Sequence, residues 1–212
     1  MARSVLFAIP LLFFACGGLP DYAMPQERAH APGARASADS IRYRDLRRGD
    51  FKAKQPPAQY GAHAERMGAY TCGNIVAEEP IAIRIEPDGR RYVARAPTLA
   101  IHAEMDRRCS WWNAKLRDAQ PPEYILQHEQ IHFALFELAA RDMQARGRAI
   151  VARGATVEAA HAAFQRALDR MREDATQAML DRNADFDRDC SGVHDPRTQQ
   201  RWYDRVRAEL AR

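Results

Sequence analysis

The sequence contains the run His128-Glu129-Gln130-Ile131-His132. Two imidazoles four residues apart fall on one helix face, a turn from each other, and can grip a single ion. Zinc suits imidazole donors and keeps one position open in catalytic sites. Glu129 stands beside the pair, where its carboxylate can take a proton from water polarised by the metal. The spacing therefore predicts one Zn2+ per chain on His128 and His132, with Glu129 as general base. The bland reading is a pair of core histidines, but two unpaired imidazoles on an apolar face are costly to bury.

These residues need a helix, and the flanking sequence supplies one. Pro121 and Pro122 suit a helix start, where a missing N–H costs little. Ile125, His128, His132, Leu135 and Ala139 then share a face until Gly147 or Gly154 ends the run. A second helix is expected from Thr156 to about Arg182, with the apolar stripe Val157, Ala160, Phe164, Leu168, Met171, Ala175 and Met179. A third opens at Asp195-Pro196 and should bury Trp202, Val206 and Leu210. Upstream, Ile81-Ala82-Ile83-Arg84-Ile85 alternates, Pro87-Asp88-Gly89 marks a turn, and Tyr92 to Met105 alternates again in part. That predicts a β-hairpin. A small antiparallel or mixed sheet packed on the motif helix and followed by further helices is an α+β fold.

With 212 residues, the chain has room for one ordinary domain and a leader. Its 46% hydrophobic content supports a core and argues against disorder along the whole chain. The net charge of +4 comes from 32 basic against 28 acidic residues, interleaved rather than clustered. A nucleic-acid partner would want a concentrated basic face, so none is expected.

Met1 to Ala15 carries one basic residue, Arg3, and then an apolar run from Val5. The run is too short for a bilayer span of about 20 residues and has the length of a signal-peptide core. It ends Phe13-Phe14-Ala15-Cys16-Gly17, which resembles a bacterial lipobox with Cys16 as the lipidated residue. Residues 1–15 are thus read as signal peptide, 16–40 as an Ala-, Pro- and Gly-rich tether, and 41–212 as the folded domain. The resulting expectation is an exported protein, a periplasmic or outer-membrane lipoprotein or else a secreted one. It would touch the membrane only through that lipid. Three further cysteines, Cys72, Cys109 and Cys190, allow one disulfide in an oxidising compartment. Cys109–Cys190 is the favoured pairing, because both flank the chemistry.

The motif helix, with Glu137-Leu138-Ala139-Ala140-Arg141 after it, resembles that of an uncharacterised bacterial family of predicted secreted zinc proteases within the zincin superfamily. Leu46 to Pro57, containing Asp50-Phe51-Lys52 and Pro56-Pro57, is similar to that family's opening motif. Phe186-Asp187 through His194 to Trp202 is similar to its closing motif, with Phe186 in place of a Tyr and Asp195 in place of a Gly. The resemblance covers about Ile41 to Arg212 and implies a zincin-like fold and peptidase activity.

Zinc needs a third protein ligand. At about 100° per residue, Glu137 points away from both histidines, and Glu173 falls opposite the stripe of the second helix. His194 leads the remaining candidates, since the family resemblance also places a His in the loop entering the last helix. Asp187 and Asp174 are its alternatives, with Asp189, Asp195 and His102 also open.

Three further expectations concern the surroundings. Trp111-Trp112 is read as packing against the motif helix ahead of lining a cleft. Tyr92 to Met105 would, by zincin analogy, be the edge strand that receives an extended substrate. Tyr203 and Tyr124 are both open as oxyanion donors. Together these readings describe a monomeric zinc metallohydrolase acting on peptides or proteins, most simply an endopeptidase. The rival readings are a non-catalytic zinc-binding envelope module and a metal-free helical interaction protein.

Overall fold

The computed structural model describes residues 39–115, 120–190 and 195–212. The signal peptide, Cys16, the tether up to residue 38 and His194 lie outside the described residues. Among the described residues the architecture is α+β, three α-helices with small antiparallel sheets.

Among the described residues, eight short strands precede or interrupt the helices: β1 (Ser40–Arg42), β2 (Ala69–Tyr70), β3 (Gly73–Ala77), β4 (Arg84–Asp88), β5 (Arg91–Arg95), β6 (Ile101–Asp106), β7 (Trp111–Trp112) and β8 (Ala152–Gly154). They form sheets of order β1-β6-β3, β2-β7 and β4-β5-β8. The expected hairpin is present as β4 and β5, closed by a two-residue loop in which Gly89 adopts φ 62°. A positive φ at that position suits glycine and matches the strand twist. Its second strand, however, does not run on to Met105. Pro97, which has no N–H to give, falls in a turn closed by Leu99 N–H donating to the Ala96 carbonyl. The chain then re-enters as β6 in a different sheet. Both β5 and β6 are central strands, so neither offers the edge expected of Tyr92 to Met105.

Helix α1 (Pro122–Ala149) begins at the prolines as expected and passes through Gly147. A Cβ on Gly147 would run into Leu99, which explains a glycine inside a helix. Helix α2 (Val157–Cys190) starts after Thr156, whose hydroxyl accepts from Ala159 N–H at 3.1 Å. It continues well past Arg182 to Cys190. The buried stripe persists through Asn183, Phe186 and Cys190, and that last stretch carries Asp187. Helix α3 (Pro196–Leu210) is capped by Asp195, which accepts from the N–H groups of Arg197 and Thr198 at 3.1 Å.

Helix α1 is the central element. Phe133, Phe136 and Ala140 join Ala103, Met105 and the α2 stripe in the main core. Ile131, Ala134 and Leu135 meet Phe186, Cys190, Trp202 and Val206 in a second cluster. From Gln130 to Phe136 the helix is buried on every side, which holds its histidines at a fixed height and rotation.

The disulfide joins Cys72 to Cys109, with Cα atoms 5.6 Å apart, and corrects the expected Cys109–Cys190 pairing. The antiparallel register of β3 on β6 sets this. Asp106 N–H donates to the Cys72 carbonyl, and Cys72 N–H donates to the Ser110 hydroxyl, each at 2.9 Å. Cys190 is a free thiol buried at the end of α2 among Phe186 and Trp202, where burial pushes its pKa up to about 12. Trp112 packs edge-on against Phe51 at 5.5 Å, with the Arg48 guanidinium over its ring.

Candidate metal centre

One helix turn separates His128 from His132, and their Nε2 atoms approach to 3.1 Å. From α2, Asp187 brings Oδ1 to 3.4 Å from His128 Nε2 and 3.0 Å from His132 Nε2. His128, His132 and Asp187 therefore form a group that could hold a metal ion. The fully buried Phe186 lies against both imidazoles, with centroids at 4.5 and 4.9 Å. His132 is buried, while His128 and Asp187 keep partial access to solvent.

Two buried amides fix how the imidazoles are held. Asn183 Nδ2 donates to the Met179 carbonyl at 2.8 Å, which turns Oδ1 toward His132 Nδ1 at 2.7 Å. Gln199 Nε2 donates to the Tyr124 carbonyl at 2.8 Å and to Gln127 Oε1 at 2.9 Å. Its own Oε1 then faces His128 Nδ1 at 3.3 Å. A carbonyl can only accept, so each amide nitrogen is committed and each amide oxygen must receive a proton from histidine. Both Nδ1 atoms are therefore donors, and both neutral rings turn a lone pair at Nε2 toward the centre. Two imidazole lone pairs and a carboxylate oxygen converge within 3.4 Å, an arrangement that a metal ion or a shared proton would satisfy.

The charges follow that logic. Burial works against a charged imidazolium at His132, but the adjacent Asp187 carboxylate overrides it and raises the pKa to about 9. Burial would also raise Asp187, yet the His132 and His128 imidazoles hold it well below the usual carboxylate range. In the absence of a metal, a proton on His132 supplies the missing positive charge.

Glu129 is 4% exposed, and among the described residues its Oε2 has no hydrogen-bond partner. A buried carboxylate oxygen without a partner is expensive unless something else is meant to meet it.

No family model, curated protein or solved structure matches the chain.

Among the described residues, Asp187, an alternative in the sequence, is the third group that meets His128 and His132. The other described candidates are placed elsewhere. Asp174 is exposed on α2, Asp189 accepts from Trp202 Nε1 at 2.9 Å, Asp195 caps α3, and His102 pairs with Glu104 at 2.9 Å. Glu137 also stays away from the histidines, accepting from Ala103 N–H and pairing with Arg141. Tyr203 accepts from Arg207 on the surface of α3.

Sequence reasoning missed Asn183 and Gln199. Each is a polar residue at a position the helical stripe reserves for an apolar one, at 1% and 0% exposure. That break in the stripe was the available signal.

Proposed function

We propose that the chain is an exported, zinc-dependent metallohydrolase of zincin type, acting on peptide bonds. The carrying observation is the convergence of two Nε2 lone pairs and a carboxylate oxygen, with hydrogen-bond polarity fixed by Asn183 and Gln199. The spacing of these atoms is compatible with zinc. Tetrahedral bonds of 2.0–2.1 Å put neighbouring ligand atoms about 3.3 Å apart, and the three separations here are 3.0, 3.1 and 3.4 Å.

Bound there, zinc would supply Lewis acidity to water and to a substrate carbonyl. The chain's residues divide the remaining work. His128, His132 and Asp187 would hold the ion. Asn183 and Gln199 keep both rings in the tautomer that points Nε2 inward. Glu129 sits one residue from His128 with a buried, unpaired Oε2, ready to take a proton from attacking water and return it to the leaving amine. The Phe186 ring shields one side from bulk solvent, which strengthens the electrostatics within.

The leader supports export, and a Cys72–Cys109 disulfide agrees with an oxidising compartment. The metal-free reading accounts for the His132–Asp187 ion pair but gives the buried Glu129 carboxylate no task. The test is metal content together with hydrolysis of a pool of quenched fluorescent peptides by the zinc-loaded chain. Zinc near one per chain with cleavage supports the reading. A folded protein that takes up no metal overturns it.

A further inference from the structure

Along the sequence the charges interleave, but folding gathers their surplus around the 3-10 turn Arg48–Asp50. Asp50 is buried there, accepting from Arg44 at 2.7 and 2.9 Å and facing Arg107 at 3.6 Å. Lys52 N–H donates to the Arg107 carbonyl at 2.9 Å, and the Arg107 guanidinium to the Gly49 carbonyl at 3.3 Å. Lys52 and Arg108 both close on Asp39, and Arg42 pairs with Glu78 at 2.7 Å. Residues 39–54 and 106–108 are thus locked into one surface.

With Glu78 included, that surface holds eight basic groups against five acidic ones. The rest of the described chain balances, with twenty of each. The whole positive excess of the described residues therefore sits on this face. Arg47, Arg48 and Lys54 are exposed, and among the described residues none of them has a carboxylate partner. Arg48 lies over the half-buried Trp112 ring at 5.4 Å. The pairs of Arg42, Lys52 and Arg108 lie at the surface, where an ion pair is worth little and a phosphate oxygen can replace the carboxylate.

Two observations select the partner. Asp39 is the first described residue, so the chain that carries Cys16 enters the domain inside this basic face, after 22 intervening residues. A lipid on Cys16 would bring the face to a bilayer. The second observation concerns orientation. Leu46 N–H, next to Arg47, donates to Gln130 Oε1 at 2.6 Å. At about 100° per residue Gln130 lies about 160° around α1 from each histidine. The basic face and the His128–His132 pair are therefore on opposite sides of α1.

We propose that this face seats on an anionic phospholipid bilayer through the headgroup phosphates, with Arg47, Arg48 and Lys54 as the leading contacts. The domain then meets the membrane directly as well as through its lipid, and the metal centre is turned away from the bilayer. Headgroup attraction of this kind adds up cation by cation and is screened by salt. The proposal shares the export reading of the leader and does not rest on the metal.

The test uses the full chain carrying Cys16→Ser, so that no lipid contributes, sedimented with vesicles of phosphatidylcholine alone or with 30% phosphatidylglycerol. Binding should be tighter to the anionic vesicles, and that gain should vanish in ~0.5 M salt. Replacing Arg47, Arg48 and Lys54 together by Gln should weaken binding to the anionic vesicles on the order of 100-fold, with melting unchanged. Replacing Arg90, Arg91 and Arg166, exposed cations outside the face, by Gln should leave most of the affinity. Equal binding of the parent chain to both vesicles overturns the proposal, as does an equal loss in the two triple variants. Tighter binding to a short DNA duplex than to anionic vesicles at the same salt also overturns it, by making the face a nucleic-acid surface.

Discussion

The amide oxygen of Asn183 sits 2.7 Å from Nδ1 of His132, and both residues are almost fully buried. This contact crosses from α2 to α1 and ties the orientation of an imidazole to a backbone carbonyl at Met179. It makes the centre a property of helix packing as much as of the motif.

Removing that acceptor should loosen metal binding without unfolding the protein. Asn183→Ala leaves His132 free to adopt the other tautomer and is expected to lower zinc affinity about 10- to 100-fold. Asn183→Asp keeps an acceptor at the same place and should retain most of the affinity. Competition with a chromophoric chelator reads both, and equal affinity in all three proteins would remove Asn183 from the account.

Metal-free protein and metal binding should respond oppositely to alkali. The His132 pKa is raised to about 9 in the folded chain, above an ordinary value near 6.5. Its contribution to stability is complete below pH ~6.5 and is lost as pH rises through about 9. Asp187 is held low, so its contribution is present above its unfolded value of about 4 and fades as pH falls further. The melting temperature of the metal-free protein should therefore drop between pH 7 and 10. Zinc must displace the His132 proton, so its affinity should climb about tenfold per pH unit up to about 9. A pH-independent zinc affinity would contradict the assignment.

Glu129→Gln keeps the side chain's shape and removes its capacity to accept a proton. The expected result is retained metal and peptide hydrolysis lowered about 10²- to 10⁴-fold. Full activity on any peptide that the wild type cleaves would exclude Glu129 as the base.

The disulfide should stabilise by restricting the unfolded chain. Cys72 and Cys109 are 37 residues apart, a loop for which the chain-entropy estimate gives about 4 kcal/mol. Replacing both by Ser should cost up to that amount in urea unfolding. Cys190→Ser should leave the disulfide intact, and thiol titration of the unfolded wild type should find Cys190 but neither partner of the bridge.

The sequence made the motif helix and its start legible because His128, His132 and the paired prolines act through local geometry. The end of α2 was hidden for a physical reason. A stripe that runs through Met179 appears to stop at Asn183, because a polar residue at that phase reads as exposed. Here the side chain is buried because it has a job for each end of its amide. The same masking hid Gln199 on α3. Asp187 could be named as a candidate but not chosen, since its approach to the histidines depends on how α2 crosses α1. The disulfide partner was likewise settled by the register of β3 on β6, which no local pattern encodes. Pro97 was visible, but the alternation around it concealed that it divides one expected strand into two sheets.

The most direct test of the central claim is zinc per chain, measured by mass spectrometry on protein purified without affinity histidines. Wild type, His132→Ala, Asp187→Ala and Asp174→Ala would be compared. The account expects close to one zinc in wild type and in the exposed Asp174→Ala variant, and little in the other two. Full zinc in Asp187→Ala, or none in folded wild type supplied with the metal, would contradict it.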